Sequence, residues 1–121
     1  KIVRYSPYDF NVPSYQIDPF ESVYDTPAKE FRISVIKLGK NEIVERFPQN
    51  SLEVLLITEG TINIRWQNNH MEKQLEFHQG NSILIPAFLR NYTIVPQTSS
   101  MIFRVRVPTQ DNLIENHHNL M

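Results

Sequence analysis

Apolar residues run almost unbroken from Leu52 to Ile57, with Glu53 the single polar interruption, and then give way to alternation. Ile62, Ile64 and Trp66 fall on one side of the following stretch, Thr61, Asn63 and Arg65 on the other. The first pattern predicts a strand covered on both faces, the second a half-buried strand. Between them Glu59-Gly60 reads as a tight hairpin turn, because glycine takes positive φ without a Cβ clash.

The same periodicity continues along the chain. Phe31–Leu38 predicts a strand whose apolar positions shift from Phe31, Ile33 and Val35 to Ile36 and Leu38, the mark of a bulge or of cover on both sides. Glu42–Phe47 follows the turn Gly39-Lys40-Asn41. Beyond the loop Gln67-Asn68-Asn69-His70, the segment Met71–Phe77 sets Met71, Lys73, Leu75 and Phe77 against Glu72, Gln74 and Glu76. Ser82–Ile85, Tyr92–Val95 and Met101–Val107 are each stopped by a proline, at Pro86, Pro96 and Pro108. About eight short strands with regular turn signals and no helical segment between them predict an all-β sandwich or barrel.

The flanks differ in texture. Residues 1–30 hold four of the eight prolines and four of the five tyrosines, which predicts an extended arm lying against the domain, with a short strand at Ile2–Tyr5. Residues 31–108 are the barrel. Residues 109–121 are a polar tail with at most one helical turn near Asn112–Asn116.

Composition narrows the function classes. A chain of 121 residues is one domain with room for a core. A net charge of −1 gives no electrostatic reason to expect nucleic acid or a membrane surface as partner. With no cysteine there are no disulfides and no thiolate metal ligands, in keeping with a cytoplasmic setting. No signal-peptide pattern precedes the domain, and the sequence opens on Lys1, as processing or a longer parent polypeptide would leave it.

Two glycine motifs carry a family resemblance. Gly80-Asn81-Ser82-Ile83-Leu84-Ile85-Pro86 spaces a glycine five residues from a proline; Glu53-Val54-Leu55-Leu56-Ile57-Thr58-Glu59-Gly60 spaces a glutamate six from a glycine. In this the chain resembles the cupins, small jelly-roll barrels (double-stranded β-helices), which implies that fold. Metal-binding cupins also place a histidine pair just before the glutamate and a third histidine after the proline. Here those segments read Phe47-Pro48-Gln49-Asn50-Ser51-Leu52 and Ala87-Phe88-Leu89-Arg90-Asn91. A catalytic zinc or iron needs about three protein ligands, and only Glu53 remains, so no metal is expected in this chain.

The other candidate groups are weak. His70 and His78 bracket one strand, about 24 Å apart, too far to share an ion. His117-His118 beside Glu115 fall in the tail, where solvated side chains are the commoner case. Arg65, Arg104 and Arg106 lie on the polar sides of their strands; solvated guanidinium groups are the usual explanation, an anion site the sharper one. No serine has a histidine close in sequence, so no nucleophile–base pair is identified and no catalytic residue is assigned.

A closer resemblance covers roughly residues 4–108. Asp18-Pro19-Phe20-Glu21-Ser22-Val23-Tyr24-Asp25-Thr26-Pro27-Ala28-Lys29-Glu30-Phe31 looks like the segment opening the C-terminal domain of type I mannose-6-phosphate isomerases, and the order Glu53–Gly60, Gly80–Ala87, Phe103-Arg104-Val105 is similar as well. The resemblance implies a degenerate cupin, non-catalytic by itself, whose parent enzyme interconverts mannose 6-phosphate and fructose 6-phosphate with a zinc held in an N-terminal catalytic domain. It implies that domain, or a second copy of this one, as partner, and a large apolar face left bare on the isolated barrel. The alternative is a free-standing, metal-free cupin that binds a sugar or other small ligand through Glu53, Arg65 and Arg104, or that serves as a dimerisation module. In either case Gly60, Gly80 and Pro86 are structural.

Overall fold

The computed structural model describes residues 14–25 and 30–108, and the described chain is all β. The expected short strand at 2–5, the tail and its histidine pair lie outside the described residues. Ten strands follow in order: β1 (Ser14–Gln16), β2 (Glu21–Tyr24), β3 (Arg32–Leu38), β4 (Val44–Arg46), β5 (Ser51–Glu59), β6 (Thr61–Asn68), β7 (Met71–His78), β8 (Ser82–Ile85), β9 (Tyr92–Pro96) and β10 (Ser100–Pro108). They form a six-stranded sheet, β1-β2-β3-β10-β5-β8, facing a four-stranded one, β4-β9-β6-β7, with antiparallel pairing throughout. The part of the arm that is described adds two strands to the edge of the larger sheet, where Asp18 Oδ1 accepts from the backbone N–H groups of Phe20 and Glu21 and turns β1 into β2.

The run 52–57 is not covered on both faces. Glu53, Leu55 and Ile57 point between the sheets and are buried, whereas Leu52 and Leu56 are exposed. A strict period of two therefore holds in β5, hidden because apolar residues occupy the outer face as well. Leu84 and Val107 are also exposed on that outer surface, and Ile33, Val54, Phe103 and Val105 lie half-buried among them, with Tyr24 stacked on Phe103 at 6.4 Å. Among the described residues, the outer face of the six-stranded sheet therefore carries exposed apolar side chains.

Nor do β5 and β6 form a hairpin. β5 pairs with β10 and β8, β6 with β7 and β9, so the Glu59–Gly60 corner carries the chain from one sheet to the other. Gly60 has φ +86°, and a Cβ there would run into the Ser99 carbonyl oxygen and the Ser100 hydroxyl. The true hairpin is β6–β7. Its two turn residues, Asn69 and His70, have φ 53° and 67°, the paired positive values that suit the twist of a two-residue turn.

β3 carries no bulge against β10; Val35 and Ile36 are both buried, so its middle is covered on both sides. The irregularity falls across the ladder, between Met101 and Ile102 on β10 where it meets β5. The core between the sheets is built from Ile36, Leu38, Leu55, Ile57 and Ile102 on one side and Val44, Ile62, Ile64, Tyr92 and Ile94 on the other.

Candidate functional site

At one end of this core the inward positions are polar. Glu53 is fully buried on β5, Arg106 is its direct partner across the ladder on β10, and Arg104, two residues earlier, is its diagonal neighbour. Arg104 grips the Glu53 carboxylate with two parallel bonds, Nε to Oε1 at 2.9 Å and Nη2 to Oε2 at 2.8 Å. Tyr92, at the start of β9 in the opposite sheet, donates its hydroxyl to Glu53 Oε1 at 2.5 Å. Arg106 sets Nε 3.2 Å from Oε2 without hydrogen-bond geometry, and spends Nη2 on the Pro48 carbonyl oxygen at 2.9 Å.

The network extends to the edge strands. Arg104 Nη1 reaches both oxygens of Glu21, at 3.1 and 3.2 Å, and the Ser34 hydroxyl donates to the same carboxylate. Arg46 on β4 closes it from the smaller sheet, with Nε on Glu21 at 2.7 Å and Nη2 on Asp18 at 2.7 Å. Asp18, Glu21 and Glu53 thus meet Arg46, Arg104 and Arg106, and the formal charges cancel.

The electrostatics follow from burial. Removal from water pushes the Tyr92 hydroxyl far above the usual tyrosine range, against the pull of Arg104 and with the help of Glu53. Burial opposes the charge on Arg104, but its hydrogen bonds with Glu53 and the fields of Tyr92, Glu53 and Glu21 outweigh that and hold it charged. Burial, then repulsion from Arg104, lowers Arg106.

This arrangement does not fit a metal. Each Glu53 oxygen already faces protein donors, and a permanent guanidinium charge sits where a cation's would be needed. Among the described residues no group of three or more histidine, aspartate or glutamate side chains is placed to hold an ion. His70 and His78 lie at opposite ends of β7, and His78 contacts Glu76 and Thr61 at the surface.

Of the three side chains considered for a ligand, the fold unites Glu53 and Arg104 and separates Arg65. Arg104 is not solvated as its place in an alternating strand implied; it is 3% exposed, on the inward face. Arg65 lies on the outer side of β6 and donates to Gln74 at 2.8 Å. Sequence reasoning missed Tyr92, Glu21, Ser34 and Arg46. Local pattern carried no signal for them, because it does not say which strands pair or face one another.

No family model matches the chain, and no curated protein does. Solved structures do match. A cupin superfamily protein from Desulfitobacterium hafniense superposes with TM-score 0.63 at 12% identity, over 81% of this chain and 84% of that one. The fold is that of the cupins. The cupin domain of Cnp3 from Schizosaccharomyces pombe matches over 98% of this chain and 75% of its own, with TM-score 0.64 and 12% identity. A mutant phosphomannose isomerase from Salmonella typhimurium matches with TM-score 0.67 and 18% identity, over 81% of this chain. The chain spans only 23% of that enzyme's length. These likenesses establish the cupin fold and go no further.

Proposed function

We propose that this chain is a non-catalytic cupin module, the C-terminal domain of a type I mannose-6-phosphate isomerase, metal-free in itself and packed on the catalytic domain through the outer face of its six-stranded sheet. The observation that carries the reading is the enclosure of Glu53 by protein donors. Standing at the glutamate position of the cupin motif, it accepts one bond from Tyr92 and two from Arg104, and Arg106 Nε faces its remaining lone pair at 3.2 Å. The exposure of Leu52, Leu56, Leu84 and Val107 on that face supports the packing role, since large exposed apolar patches mark interaction surfaces. The ordered resemblance over 4–108 and the likeness to a fraction of phosphomannose isomerase support the choice of enzyme.

The test is an assay of the purified chain with mannose 6-phosphate and added zinc. No fructose 6-phosphate is expected at any enzyme concentration. Turnover that disappears in Glu53→Gln would overturn the reading.

A further inference from the structure

β7 is the edge of the smaller sheet and β8 the edge of the larger, and the two are not hydrogen-bonded to each other. Between them and the loop after Pro86 lies a cavity of about 790 Å³, within the usual range of small-molecule sites. Its floor is Trp66, Phe77, Ile83 and Leu89, each half-buried and packed directly on the hydrophobic core. Ile64 and Ile85, both core residues, reach the same surface. The inward-facing Leu75, cross-strand partner of Ile64, is 54% exposed, so the described residues leave this part of the core open.

Among the described residues the lining carries the positive charge of Arg90 and no carboxylate, with Glu45 bonded to the lining residue Asn91. Arg90 lines the rim and makes no hydrogen bond or ion pair with a described residue. Lys73 pairs with Trp66 across the β6–β7 ladder and therefore lies on the same face as Leu75 and Phe77, while Glu72 and Glu76 lie on the other. An apolar floor with Arg90 in its lining and Lys73 on the adjoining face of β7 has a definite complement. We infer that this cavity is a binding site for small amphipathic anions: carboxylates with a flat or chain-like apolar body, which covers the floor while the head group meets Arg90 and Lys73. The class differs from the sugars considered above, although Gln67, Asn68, Asn69, His70 and Asn91 also line the cavity. The inference is independent of the isomerase reading.

Trp66 is the only tryptophan in the chain, so its emission reports on the cavity directly and is blind to the outer sheet face. The experiment titrates the full chain with octanoate, 1-octanol and octylammonium, which share one apolar body and differ in head-group charge, each below its micellar concentration. The expected result is a saturable blue shift with octanoate, weaker with octanol and weakest with octylammonium. An exposed charge contact is worth up to about fivefold in affinity. Arg90→Gln with Lys73→Gln should bring the three ligands together without changing the unliganded emission. Absence of a saturable shift with any of them would overturn the site, and equal binding of octylammonium and octanoate would overturn the anion preference. An emission shift that depends on protein concentration instead of ligand would show that a second copy covers the cavity, which also overturns it.

Discussion

Arg104 decides what the interior of this barrel can do. A buried guanidinium between two carboxylates is tolerable only while both remain, because removing one partner leaves an uncompensated charge out of water. Arg104→Met should therefore cost about 3–5 kcal/mol in denaturant unfolding, and adding Glu53→Gln should restore a large part of it. Arg104→Lys should not rescue, since an ammonium cannot reproduce the paired bonds to Glu53. Tyr92 makes a second residue-level prediction. Its folded-state pKa is raised above the unfolded value near 10, so above that pH the unfolded chain releases a proton that the folded chain keeps. Stability is unaffected below about pH 10 and falls above it, by about 1.4 kcal/mol per pH unit for this one group. Chemical denaturation between pH 8 and 11 should show that decline, and Tyr92→Phe should lack it.

At the scale of elements, the two turn glycines separate strain from contact. Gly60 and Gly80 both hold positive φ, at +86° and +91°, but a Cβ on Gly80 meets nothing within 4 Å whereas one on Gly60 meets the Ser99 and Ser100 backbone region. Gly80→Ala should cost about 1 kcal/mol from conformation alone, and Gly60→Ala clearly more, read as paired shifts in denaturation midpoint. The positions of these strands were legible in the sequence because alternation and proline stops are local signals: Ser82–Ile85 ends at Pro86 in the structure as in the pattern. Their partners were not. Nothing local distinguishes a tight turn that folds a strand back on itself from one that passes it to the facing sheet, so Glu59-Gly60 looked like a hairpin. The apolar run of β5 misled for a related reason, since Leu52 and Leu56 lie exposed on the outer face of the sheet.

For the molecule as a whole, the sequence carried the cupin architecture through its spacings of Glu53 to Gly60 and Gly80 to Pro86, and it showed no histidine at the two places where metal-binding cupins carry them. The side chains that meet around Glu53 were not legible. Glu21, Arg46, Tyr92 and Arg104 come from four strands in two sheets, and only their meeting gives them a role. Among the described residues the barrel has three notable features: a buried ionic network, a cavity at the β7–β8 edge, and an outer sheet face with exposed apolar residues. The ionic network is the basis for reading the domain as a structural module. Its most direct test is elemental analysis of the untagged chain after dialysis against zinc, iron and manganese salts. Far less than one equivalent of any transition metal is the expected result. One equivalent retained per chain, and lost in Glu53→Gln, would contradict the account.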